Sequence, residues 1–89
     1  MLVLPAEVTH AQATASLRML LQGVRAQTGG VVVDATALTR FDSSALAVLL
    51  ECRRECFSLG RSFTVRGLPV RLAALAGLYG VAELLPAQS

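Results

Sequence analysis

Asp42, Ser43 and Ser44 are the residues of this chain best suited to chemistry. They stand together where a polar loop gives way to an apolar helical run, within "VVVDATALTRFDSSALAVLLECRR", residues 31 to 54. Adjacent serines beside a carboxylate at a helix start can supply a nucleophile, cradle a phosphate, accept a phosphoryl group or simply cap the helix. A second carboxylate, Asp34, closes the valine run Val31–Val33 a short loop upstream. Sites in open α/β sheets lie beyond the carboxyl ends of the strands, so Asp34, Asp42 and Ser43 are expected at one rim.

The first two chemistries lack their remaining parts. A serine nucleophile needs a base within reach. The single histidine, His10, falls in a different predicted helix, and the G-x-S-x-G elbow is absent around Ser43. A Walker phosphate loop needs G-x-x-x-x-G-K-[ST], and the chain has no lysine. No catalytic residue is therefore assigned. Cys52 and Cys56 share a helix face four residues apart, a spacing poorly suited to a bridge. With one histidine they do not make a metal site either, so reduced, partly buried thiols are expected. No cofactor is called for. Two readings remain for the rim, and they are compatible. Asp42 or Ser43 caps the helix by accepting its free amides. Phosphate on Ser43 would add about two negative charges to a docking surface made of Asp42, Ser43 and Ser44, with Asp34 as its support.

The elements that must hold this rim can be read from the pattern. Leu2–Leu4 make a short strand, bent by Pro5. Thr9 and Gln12 have capping-box spacing, with Thr9 as N-cap of a helix carrying Ala13, Leu17, Leu20, Leu21 and Val24 on one face. Gly29–Gly30 end it. Val31–Val33 form a continuous apolar strand, expected to be covered on both faces. A second helix runs from Ser43 to Ser58 and stops near Gly60. Phe63–Arg66 alternate as a strand with one wetter face. Gly67 turns the chain, Pro69 suits the first turn of a third helix, and that helix is expected to bury Leu72, Leu75 and Tyr79 before Gly80. Leu84 and Leu85 dock as a short terminal element. Strand and helix alternate three times, which gives an α/β fold with a small, mostly parallel sheet.

Composition bounds the partners. At 89 residues the chain is one domain, residues 1–89, and a domain of this size buries only about 60–65% of its unfolded surface. It is 54% hydrophobic and 16% charged, so an apolar face covered by a partner is expected. The longest charge-free run near the C-terminus, Leu72 to Ala82, is too short to span a bilayer, where about 20 apolar residues are needed, and no signal peptide is visible. The expected location is cytoplasmic, without direct membrane insertion. The net charge of +2, the eight scattered arginines and the lack of tryptophan exclude a nucleic-acid surface.

The stretch "VVVDATALTRFDSSALAVLLECRR" followed by "GRSFTVRGLPVRLAALAGLYGVAELL" resembles the STAS domain family over about Leu2 to Leu85. Anti-sigma factor antagonists of that family usually read Asp-Ser-Ser/Thr-Gly here. This chain has Ala45 for the glycine and a shortened N-terminal hairpin. In those antagonists the serine that Ser43 matches is phosphorylated by an anti-sigma factor kinase. The short format and the ending "LYGVAELLP" resemble the MlaB type more. That resemblance implies a non-catalytic subunit that binds, regulates and stabilises the cytoplasmic ATPase (MlaF-like) of an ABC phospholipid transporter, with the matching hydroxyl residue supporting docking. It also implies a place at the inner-membrane face through the complex.

Overall fold

The computed structural model describes residues 1–87. Its elements are β1 Leu2–Val3, β2 Glu7–Val8, α1 Ala13–Ala26, β3 Val31–Asp34, β4 Arg40–Phe41, α2 Ser43–Ser58, β5 Phe63–Arg66, α3 Val70–Leu78 and a 3-10 turn, Ala82–Leu84. The architecture is α/β, and every strand pair is parallel. β3 lies between β1 and β5, while β2 and β4 form a separate two-stranded ladder.

The β2–β4 ladder is absent from the sequence reading, because two residues carry no periodicity to detect. It arises from β1 and β3 continuing side by side past a bend at Pro5. Leu2 pairs with Val33 and Glu7 with Arg40, so between these pairs one segment advances five residues and the other seven. The surplus is taken up by the loop after β3, which folds Leu38 into the core at 3% exposure. The amides of Thr39 and Arg40 both donate to the Ala6 carbonyl, and Arg40 meets Glu7 at 3.2 Å.

One face of the three-stranded sheet carries Val31, Val33, Phe63 and Val65, all buried. These residues sit in one hydrophobic cluster with Leu20 and Val24 of α1 and with Ala45, Leu49, Cys52 and Cys56 of α2. The opposite face is only partly covered. Val32 and Asp34 are half-buried there, and Val3 is exposed. The expectation that β3 is covered on both faces is corrected, since α1 and α2 pack over the Val31–Val33 side alone. Parallel strands joined by right-handed crossovers need cover where the helices return, and the short sheet leaves its far face to half-exposed residues.

Two further expectations change. α1 begins at Ala13 rather than directly after Thr9. The Gln12 side chain accepts the Thr9 backbone N–H at 2.9 Å and the Thr9 hydroxyl at 2.6 Å. Thr9 therefore donates to Gln12 instead of capping, and only the return half of the capping box forms. In α3 the buried residues are Leu72 and Ala76. Leu75 is half-buried, and Tyr79, at the end of the helix, is 58% exposed. The spacing of four from Leu72 selects Ala76 for the core, and Tyr79 falls beyond the last packed turn. α2 and β5 have the bounds read from the sequence.

Past α3 the chain returns to the sheet. Leu85 is buried at 6% exposure, and the Val65 amide donates to the Pro86 carbonyl at 2.9 Å. Ala87 bridges Val65 in parallel, so the C-terminal segment covers the outer edge of β5. No strand among the described residues pairs with the outer edge of β1.

Candidate functional site

Asp42 is the N-cap of α2, with extended backbone (φ −133, ψ −166). Its Oδ1 accepts the Ser44 backbone N–H at 2.8 Å, satisfying one of the free amides of the first turn. Its Oδ2 accepts the backbone N–H of His10 at 3.0 Å, across 32 residues of sequence. One carboxylate thus holds the start of α2 and the turn leading into α1. The β2–β4 ladder makes this possible. Val8 pairs with Phe41, so the residues following each strand, Thr9–His10 and Asp42–Ser43, emerge together. The two donated hydrogen bonds, from His10 first and Ser44 second, hold the Asp42 carboxyl below the usual carboxylate range. It is therefore anionic at neutral pH, where the helix dipole favours it.

The serines are displayed by this arrangement. Ser43 is exposed, and its hydroxyl makes no hydrogen bond among the described residues; Ser44 is half-buried. Ala45 points into the core at 1% exposure and its amide donates to the Asp42 carbonyl at 3.1 Å. The methyl group that replaces the family's glycine is thus absorbed by packing. Beside the serines, His10, Ala13, Leu17, Ala47, Val48 and Glu51 line a shallow, mainly apolar groove between the first turns of α1 and α2. At the far end of the same helix pair Arg25 meets Glu55 at 3.0 Å.

The sequence reading separated His10 from the serines, and the structure brings them to one place. The geometry is still not that of a nucleophile and its base. Asp42 bonds the His10 backbone and not its ring, and no hydrogen bond joins the imidazole to Ser43 or Ser44. Nothing in the sequence pattern signals this meeting, because it depends on the two-residue ladder. Among the described residues no group of histidine, cysteine, aspartate and glutamate can hold a metal ion.

Asp34 sits at the end of β3 and turns on itself. Its Oδ1 accepts the Thr36 backbone N–H at 2.9 Å and the Thr36 hydroxyl at 2.7 Å. The Thr36 hydroxyl, then the Thr36 amide, draw its carboxyl below the usual range, with Arg66 on the neighbouring strand adding to the effect. Asp34 is therefore committed to the loop it starts, and no hydrogen bond ties it to Asp42, Ser43 or Ser44. Asp42, Ser43 and Ser44 form the compact group. Phe41, unassigned in the sequence, lies under the guanidinium of Arg71 on α3, 5.7 Å from ring centroid to Cζ, and so joins the rim to the third helix.

Cys52 and Cys56 are free and buried. Burial, with the neighbouring Cys56 adding to it, pushes the Cys52 thiol up to about 12, and burial also raises Cys56. Both stay protonated at neutral pH, which makes them core residues rather than nucleophiles or ligands. Among the described residues no helix is long and apolar enough to cross a membrane.

No curated protein matches the chain. The family model described as "Mlab, STAS domain" matches residues 1–86. That match spans β1 through the C-terminal segment and includes the Asp42–Ser44 rim, so the chain belongs to the STAS domain family, in its MlaB type.

Proposed function

We propose that this chain is a non-catalytic subunit that docks on the cytoplasmic ATPase of an ABC phospholipid transporter, and that it regulates and stabilises that ATPase in a complex maintaining outer-membrane lipid asymmetry. The observation that carries the proposal is the Asp42 clamp. It holds Ser43 outward and Ser44 beside an apolar groove, on a rigid pair of helix starts, with both carboxylate oxygens already occupied. Such a site presents a surface on which Asp42 is tied to two backbone amides. The MlaB-type family match supports the choice of partner. The chain works in the cytoplasm, reaching the inner-membrane face through the complex.

The test compares Ser43→Asp with Ser43→Thr in calorimetric titration against the purified ATPase subunit. Ser43→Thr keeps the hydroxyl and is expected to bind like wild type. Ser43→Asp places a second carboxylate beside Asp42, and its affinity is expected to fall about tenfold or more, as for a charge introduced into a desolvated contact. Equal affinities for the two variants would refute the assignment of the rim. The second reading, an anti-sigma factor antagonist switched by a partner kinase, is favoured by the free, exposed Ser43 hydroxyl at a helix N-terminus. Phosphorylation of Ser43 by a co-encoded anti-sigma kinase, with no affinity for the ATPase, would select it.

A further inference from the structure

The chain after α3 is held differently from the rest of the fold. Val81 is fixed, since its amide donates to the Ala76 carbonyl at 2.9 Å and its side chain packs on the core. Of residues 82–87, only Leu85 is buried. Ala82, Glu83, Pro86 and Ala87 are exposed, and Leu84 is half-buried. Beneath this segment lies an apolar hollow of about 280 Å³, lined by Leu68, Ala73, Ala76, Ala82, Leu85 and Ala87. Protein interiors are close-packed, and side chains beside a gap forgo the contacts that a neighbour would give. Most of this lining is alanine, so Leu85 alone brings a large buried side chain to it from the segment.

What the segment covers is a sheet edge. The Val65 amide donates to the Pro86 carbonyl at 2.9 Å, and Ala87 bridges Val65 in parallel. Local openings of a native protein come most readily where few apolar groups are buried. We infer that residues 82–87 are a strap, latched by Leu85, which opens from Val81 as one unit and uncovers the outer edge of β5 together with the hollow beneath α3, while the rest of the sheet and the Asp42 clamp stay folded. An uncovered edge is a template for an added strand, and the closed strap occupies the place that such a strand would take. The strap therefore controls whether the sheet has a free edge on the β5 side. None of its residues belongs to the Asp42–Ser44 rim.

The experiment is amide hydrogen exchange of the full chain, read by NMR in rising urea below the unfolding transition. The Val65 amide reports the strap, as does the Leu85 amide, which donates to the Ala82 carbonyl at 3.1 Å. The Val31 and Ala35 amides, which donate to the Ser62 and Arg66 carbonyls, report the pairing of β3 with β5. Val65 and Leu85 are expected to share one protection factor, about tenfold or more below those of Val31 and Ala35. Theirs is expected to be nearly independent of urea, because opening the strap exposes little surface. Leu85→Ala removes buried methyl groups from the closed form and is expected to lower protection of Val65 about tenfold or more, whereas Leu85→Met conserves volume and stays near wild type. Val24→Ala, in α1, weakens the closed and open forms alike against the unfolded chain. It is expected to lower protection of Val31 and Ala35 and to leave Val65 unchanged, so the strap is tested even where Leu85→Ala does not fold. A Val65 amide with the same protection and urea dependence as Val31 and Ala35 overturns the strap, since the edge is then bared only by global unfolding. Val65 and Leu85 exchanging with different protection also overturns it, as fraying residue by residue.

Discussion

Asp42 joins two segments with one side chain. Its oxygens each accept one backbone amide, from His10 and from Ser44, and both bonds favour the ionised form. Linkage fixes the sign of the pH effect. A carboxyl whose native pKa is depressed stabilises the fold at pH values above the ordinary carboxylate range, and that stabilisation is lost as pH falls through the lower native value. Asp42→Ala is expected to melt below wild type at pH 7, with the difference narrowing below about pH 4, where the ordinary Asp titrates. Melting curves for the two proteins from pH 7 to pH 2 measure it. A gap that stays constant across that range would show that the charge of Asp42 contributes nothing. Ser43 needs no partner for its part, since its exposure follows from the clamp on either side of it.

At the scale of elements, the loops after β3 and β5 decide how the rim is held. The Ala35 amide donates to the Arg66 carbonyl at 2.8 Å, keeping the two strand ends together. Gly67 follows directly, with φ +68, a conformation L-residues rarely adopt. A Cβ there would collide with Cγ2 of Thr36, the residue that Asp34 holds in its turn. Gly67→Ala combines backbone strain with that clash, so a loss above about 1 kcal/mol is expected. For a domain of this size about 1 kcal/mol lowers the melting temperature by roughly 4–8 °C. Calorimetry of the variant checks this, and an unchanged melting temperature would mean that the loop relaxes freely. α2 gives a different lesson. Its bounds were legible because an N-cap carboxylate opens it and an apolar periodicity runs its length, and the same residues fill its buried positions.

For the whole molecule the question is cover. Val3, Phe57, Leu59, Val70, Leu78 and Tyr79 are all more than 40% exposed, in a chain whose core is drawn from short strands, three helices and loop residues such as Leu4, Leu38 and Leu85. The C-terminal segment protects the edge of β5, but the outer edge of β1 has no partner strand among the described residues. A partner that binds only the folded form shifts the equilibrium by mass action, about 2.7 kcal/mol at a hundredfold excess over the dissociation constant. That corresponds to roughly 10–20 °C in a domain this small. The expected outcome is a melting temperature raised by that amount with saturating ATPase subunit, and light scattering by the free chain that grows with concentration. A clear monomer with an unaltered melting temperature would show a self-sufficient domain.

The sequence by itself determined the α/β order, the bounds of α2 and β5, and the helix-capping role of the Asp42–Ser43 step. Each is written in local terms, as a periodicity of two or about four residues, a capping residue, or a glycine at a turn. Only the tertiary structure decided what lies against what. The β2–β4 ladder is two residues long and leaves no pattern in the chain, yet it sets the starts of α1 and α2 side by side and gives Asp42 its second amide. Thr9 does not cap α1, because its amide and its hydroxyl both donate to the Gln12 side chain. In α3 nearly every position is apolar, so composition could not say which face is inward. Packing chose Leu72 and Ala76, with Leu75 half-buried against the same core, and left Val70, Gly77 and Leu78 facing out.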